Sequence, residues 1–284
     1  MKKISVVADS TSDLPSHLIE KYNIKIIPLH IHLDDQEFSD GIDIDANKIF
    51  EWSDANKKTP QTSSFSINEA VEALDQALAE GEDVICFTIS QTMSSSYQVL
   101  KMAIDTHTHS SRIRLIDSAN LSSGIGLLAL KVFDLAEEGK TADQIVEIIE
   151  DTKDKVRSSF VLDTLEYLRR GGRCSSVEAF AGMALKLHPK IEVEDGKMAA
   201  GKKYRGKINV VLKKYVNEIL ENLDNADPKR VFITSTVEDE ALIEEIKEQI
   251  DQLNIFEEII VNKAGSVISS HCGPGTLGIL YIEA

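Results

Sequence analysis

Hydroxyl side chains gather where apolar runs end. Ser90, Thr92, Ser94, Ser95 and Ser96 fill five of seven consecutive positions after the apolar run 84–89. Asp9-Ser10-Thr11-Ser12-Asp13-Leu14-Pro15 follows a first run at 4–8, and Ser118 to Ser123 follow a third at 113–117. The segment 59–66 adds Thr59, Thr62, Ser63, Ser64 and Ser66. One such serine is a helix cap or a turn residue. Several together, at strand ends, can donate to a carboxylate or phosphate without carrying charge. A helix start beside them adds free N–H groups and a positive partial charge. The chemistry predicted is anion binding. His271 is a second candidate, because Gly273-Pro274-Gly275-Thr276 beside it lets backbone approach a ligand closely. A histidine there donates to an anion or moves a proton.

Other chemistries fit less well. A hydrolase or phosphotransferase using His271 and a serine stays open as an alternative, but no Gly-x-Ser-x-Gly elbow is present. Gly124-Ile125-Gly126-Leu127-Leu128-Ala129 matches a dinucleotide fingerprint in letters only. A helix pattern follows it, with no acidic strand end about 20 residues on, so helix packing is the better account of the glycines. His30-x-His32 and His107-x-His109 lack companions for a metal site. Cys86, Cys174 and Cys272 are too scattered for a disulfide framework or zinc ribbon. No Gly-x-x-x-x-Gly-Lys-Ser/Thr loop is present, which disfavours an autonomous P-loop kinase.

The elements that must carry these residues alternate. Strand patterns at 4–8, 24–33, 84–89 and 113–117 are separated by helical stripes. Ile67, Ala70, Val71, Leu74, Ala77 and Leu78 form one stripe, opened by a Ser66/Glu69 capping box and ended at Gly81. Residues 125–136 are apolar almost all round and predict a central buried helix; Thr141 and Gln144 open the next. This alternation implies a parallel sheet. A second domain begins near Arg157, giving 1–157 and 158–284. Its strand candidates are 159–163, 231–235, 259–261 and 277–282, with a hairpin turn at Asp195-Gly196. Helices are expected at 177–187, 208–223 and 239–253. Hairpin and α/β units together predict a mixed sheet.

With 284 residues the chain has ample core for two domains, and 42% hydrophobic content is ordinary for a globular protein. No apolar run approaches the ~20 residues of a membrane span, and Asp9 interrupts the first run too early for a signal peptide. A cytoplasmic protein without membrane insertion is expected. The formal net charge of −16 argues against nucleic-acid binding. Cations nevertheless concentrate between Arg169 and Lys207, where they can steer an anionic ligand or partner.

Taken jointly, the motifs resemble those of the DegV family of bacterial fatty-acid-binding proteins, over essentially the whole length. The residues concerned are Asp9 to Pro15, Thr62-Ser63-Ser64-Phe65-Ser66, Ser90 to Gln98, Leu162-Asp163-Thr164-Leu165-Glu166-Tyr167-Leu168-Arg169-Arg170-Gly171-Gly172-Arg173, and His271-x-Gly273-Pro274-Gly275-Thr276. The resemblance implies a two-domain α/β fold, with a parallel-sheet N-terminal domain and a mixed-sheet C-terminal domain. It implies one long-chain fatty acid held between them and no cofactor. Its carboxylate is expected at Thr62, Ser63, Ser94, Ser95, Ser96 and His271. Some members are binding subunits that present the carboxylate to an ATP-binding fatty acid kinase subunit, which makes acyl phosphate. Arg205 and His271 match positions tied to that transfer or partner contact, and Arg170 and Arg173 are grouped with them. The chain itself would then be non-catalytic, or a lipid sensor. Ser95 carries a Cβ where the family's motif has glycine, and Phe65 stands where it has proline.

Overall fold

The computed structural model describes residues 3–173, 177 and 187–284. The helix expected at 177–187 falls almost wholly outside them, as do Cys174 and Lys186.

In the first half, strands β1 (Ile4–Asp9), β2 (Lys25–Ile27), β3 (His30–Leu33), β4 (Gln36–Ser39), β5 (Gln61–Ser63), β6 (Asp83–Thr88) and β7 (Ile113–Asp117) alternate with helices α1 (Ser16–Tyr22), α2 (Ala46–Asn56), α3 (Ile67–Glu80), α4 (Ser96–Thr106), α5 (Ser123–Glu137) and α6 (Ala142–Lys153). Four strands form a parallel sheet in the order β2-β1-β6-β7. Every residue of β1 and β6 is buried, as central strands covered on both faces must be. The helix starts follow the sequence signals. Asp45 caps α2, and Ser66/Glu69 and Thr141/Gln144 form complete capping boxes on α3 and α6.

The extended segment 24–33 divides at Pro28. Pro28 has no N–H to give a ladder, and the chain turns from β2 into a separate antiparallel sheet, β4-β3-β5. This small sheet includes Thr62 and Ser63.

The second half contributes β8 (Val156–Val161), α7 (Glu166–Arg170), β9 (Leu187–Glu194), β10 (Lys197–Arg205), α8 (Ile208–Leu220), β11 (Ala226–Ser235), α9 (Glu240–Asp251), β12 (Glu258–Lys263), α10 (Ser266–Cys272) and β13 (Leu277–Glu283). The sheet order is β10-β9-β8-β13-β11-β12, with only β11 and β12 parallel. Asp195 and Gly196 turn the β9–β10 hairpin with φ of 49° and 75°, as a two-residue turn requires.

Helix α5 lies between the sheets. It packs on β1 and β6 on one side and on β8, β11 and β13 on the other, and ten of its fifteen residues are buried. A Cβ on Gly124 would stand 2.1 Å from Asn120 Oδ1, so this glycine serves close packing rather than a dinucleotide. One apolar cluster runs from Ile85 and Phe87 through Leu128 to Phe160 and Leu280. Polar bonds fasten the rest of the seam. Ser123 Oγ meets Thr234 Oγ1 at 2.7 Å, Thr234 donates to Asn262 Oδ1, and Asn262 Nδ2 donates to the Asp13 carbonyl. Ser90 Oγ and Thr92 Oγ1 both donate to the Gly196 carbonyl at the hairpin tip. In the loops Asp9 to Asp13 and Ser118 to Ser123, the hydroxyls of Ser10, Thr11, Ser118, Ser122 and Ser123 are spent on structure, while Ser12 Oγ is buried with no partner among the described residues.

Candidate carboxylate site

Hydroxyls converge elsewhere, on a cavity of about 110 Å³ between the two halves. β5 brings Thr62 and Ser63, followed by Ser64; the turn after β6 brings Ser94 and Ser95; α10 brings His271 from the other half. The turn is itself nearly helical. Met93 N and Ser94 N donate to the Ser90 carbonyl, and Ser94 Oγ accepts from Ser96 N at the start of α4. Ser94 and Ser95 therefore arrive at a fixed height. Ser95 has φ −79° and ψ −1°, ordinary values for any residue, so its Cβ introduces no backbone strain.

His271 Nε2 lies 2.9 Å from Thr62 Oγ1, a contact closing 209 residues of chain. Its Nδ1 is buried, with no partner among the described residues. Gly171 explains how the ring fits, since a Cβ there would stand 2.6 Å from Nδ1. Burial, with the positive charge of Arg173 adding to it, pushes the His271 pKa down to about 3. The ring is neutral at physiological pH. A neutral imidazole with such a low pKa and no acid on Nδ1 is a poor general base, which weighs against a serine hydrolase.

Behind the hydroxyls the wall turns apolar, with Ile89, Met93, Leu121, Met198, Ile268 and Cys272. Leu121, Ile268 and Cys272 also line a second cavity, of about 30 Å³, that reaches Phe160 and Leu280. Polar groups on one side and an apolar wall on the other suit an amphipathic anion. Cys272 has its thiol pKa pushed up to about 12 by burial, so it acts as lining. Two larger clefts, of about 600 and 640 Å³, lie against Lys190 and Asp195 and against Ile42 and Lys263; neither adjoins these hydroxyls.

The residues singled out from sequence fall into groups. Thr62, Ser63, Ser94, Ser95, His271 and Arg173 line the cavity together. Ser63 Oγ also meets His32 Nε2 at 2.9 Å. Ser96 is fully buried behind Ser94, 2.9 Å from its Oγ, and does not line the cavity. Arg170 pairs with Glu166 one turn away. Arg205 is exposed at the end of the edge strand β10, outside the cavity. The basic stretch around it is partly neutralised, since Lys190 pairs with Glu192 and Glu218, and Lys202 with Glu218. Ser64, named among the hydroxyls but not among the carboxylate residues the resemblance implies, has its Oγ buried at the cavity without a partner among the described residues. The signal was available, because alternation along a strand beginning at Gln61 turns Thr62 and Ser64 to one side. His30 and His107 bond Glu69 and Asp75, and no metal-binding group occurs among the described residues.

A family model described as "Uncharacterised protein, DegV family" matches residues 3–284. The chain belongs to the DegV family. A DegV domain-containing protein of Caldanaerobacter subterraneus subsp. tengcongensis is 32% identical over 283 residues, covering 100% of both chains. A solved DegV family protein from Thermus thermophilus, described by its fatty acid binding, superposes with a TM-score of 0.89 at 28% identity, covering 99% of this chain and 100% of that one. The Streptococcus pneumoniae Fatty Acid Kinase (Fak) B3 protein, solved loaded with linoleic acid, shares the DegV fold with a TM-score of 0.82 at 20% identity, covering 99% and 100%. Among the described residues of this DegV chain, no helix is long and apolar enough to cross a membrane.

Proposed function

We propose that the chain holds one long-chain fatty acid between an N-terminal lobe, 1–157, and a C-terminal lobe, 158–284, in the cytoplasm. It presents the carboxylate to an ATP-binding kinase subunit and turns nothing over alone. The observation that carries this is a hydroxyl-lined cavity whose apolar wall at Leu121, Ile268 and Cys272 is shared with a second, apolar one. Placing the imidazole hydrogen on Nε2 lets His271 donate to Thr62 Oγ1 and frees the Thr62 hydroxyl hydrogen for the ligand. Ser64 and Ser94 supply further donors, and Arg173 offsets the negative charge from the side. Ser96 acts behind Ser94.

The cavities, about 110 and 30 Å³, are smaller than the roughly 300 Å³ of an ordinary small-ligand pocket. Binding therefore parts the side chains along the seam. Each buried CH₂ gains about 0.8 kcal/mol, enough over a long tail to drive that opening. Arg205, outside the cavity and permanently charged, suits contact with an acidic partner or with phosphate during transfer.

Native mass spectrometry of the purified chain, before and after denaturing extraction, tests the reading. One monocarboxylic acid of long chain per protein is expected. A chain that extracts clean, and that no fatty acid from myristic to arachidic stabilises, overturns it, since a bound ligand must raise stability by mass action.

A further inference from the structure

Helix α10 begins without a cap of its own. Its N-cap residue is Gly265, which has no side chain to offer. Helix starts leave amides without intrahelical partners. Here the carboxyl oxygens of two aspartates from the other half of the chain take them. Gly265 N donates to Asp13 Oδ1 at 2.9 Å, Ser266 N to Asp40 Oδ1 at 2.8 Å, and Val267 N to the same Asp40 oxygen at 3.4 Å. Both carboxyl groups are buried, Asp13 6% and Asp40 3% exposed. Asp13 is anchored in turn by Ser122, whose hydroxyl donates to its Oδ2. The backbone of Asp40 is tied to the Leu29 carbonyl. The place where a helix start would attract an external anion is occupied by the protein's own acids.

The far end of the same helix carries His271, five residues after Ser266 and so about 7.5 Å along the axis. A helix of seven residues does not hold its own geometry in water. Its height and rotation come from what grips it. At one end the grip is Asp13 and Asp40; at the other it is the Thr62–His271 bond. Both come from the N-terminal half, although α10 runs between strands of the C-terminal sheet.

We propose that Asp13 and Asp40 are positioning residues for the carboxylate site, fixing α10 so that His271 meets Thr62. The assignment rests on the fatty-acid reading given above. It places in the site's support two residues that touch neither the cavity nor its lining hydroxyls.

A double-mutant cycle on the full chain tests this, with octadecanoate as the probe. Asp40→Ala should weaken binding about tenfold in the parent, since the grip on His271 is lost. In the His271→Ala background the same change should cost less than about twofold, because nothing remains to be positioned. Asp40→Asn keeps an acceptor oxygen and should restore affinity to within about threefold of the parent. If Asp40→Ala does not fold, Asp40→Ser, which shortens the acceptor's reach, takes its place. A second arm needs no ligand: the imidazole ¹H–¹⁵N signals of His271 should move in Asp40→Ala and return in Asp40→Asn. Equal losses in both backgrounds, or unmoved imidazole signals, overturn the proposal. If the parent binds no fatty acid, the functional reading fails, and the imidazole arm still decides the positioning role.

Discussion

Thr62→Val is the sharpest perturbation of the proposed head-group site. It removes one hydroxyl and keeps the branched shape, so packing in β5 is conserved. Two effects follow from the geometry. A hydrogen bond to a charged acceptor contributes about 1.5–3 kcal/mol, and 1.4 kcal/mol is tenfold in affinity, so octadecanoate should bind about 10- to 150-fold more weakly. The second effect is on stability. Thr62 Oγ1 is the partner 2.9 Å from His271 Nε2, and Nδ1 is already unpaired among the described residues. Loss of the hydroxyl leaves both ring nitrogens without a partner there. A buried polar group so stranded costs about 1–3 kcal/mol, and each kcal/mol lowers Tm by about 2–4 °C in a chain of this size class. Titration calorimetry with octadecanoate and with octadecanol separates head group from tail. The acid should lose affinity and the alcohol should lose much less. A folded variant that binds the acid as tightly as the parent, or that loses equally for acid and alcohol, would refute the assignment of the carboxylate to Thr62.

Three further outcomes are expected. Burial raises the Asp13 pKa to about 8 against hydrogen bonds from Ser122 and Gly265, with Asp40 and Asp9 facing it and Cys272 nearby. A carboxyl raised in this way favours folding fully below its ordinary 3.8 and loses that contribution as pH climbs towards about 8. Asp13→Asn should therefore gain stability over the parent on the alkaline side of that window and little on the acid side, read from urea midpoints; an equal offset at both ends would contradict the shift. Ile268→Trp should crowd the wall that the two cavities share, and overpacking of this kind costs about 1–3 kcal/mol. Binding of octadecanoate should suffer far more than binding of octanoate, and parallel losses would place the tail elsewhere. Arg205→Ala should retain bound lipid by mass spectrometry yet fail to support ATP consumption by a cognate kinase; full activity would remove Arg205 from partner contact.

Much of the architecture was legible because local signals were strong. The capping boxes at Ser66 and Thr141, the Asp195-Gly196 turn and the all-apolar face of α5 each name their element without help from tertiary structure. The antiparallel β3-β4-β5 sheet was not legible. Its strands are three or four residues long, and β4, Gln-Glu-Phe-Ser, carries no buried face to betray it. At the site, residue types marked the hydroxyl clusters but not their fates. Ser90 and Ser94 stand four positions apart in one turn; one bonds a hairpin carbonyl and the other lines the cavity. Only the approach of the second half of the chain decides between them. The low pKa of His271 likewise depends on burial and on Arg173, which no spacing rule contains.

Strand β13 lies in the middle of its sheet, between β8 and β11, although it is the last strand in sequence. During synthesis β8 and β11 leave the ribosome with those edges unpaired, and exposed edges invite association with other chains. They close only when residues 277–283 arrive. His271 emerges just ahead of that closure and must then reach back to Thr62, made more than two hundred residues earlier. A nascent chain thus holds every residue of the candidate site before the sheet beside it has closed. A product that stops short of β13 has unpaired strand edges for a chaperone or protease to recognise, beside a candidate site whose residues are all present.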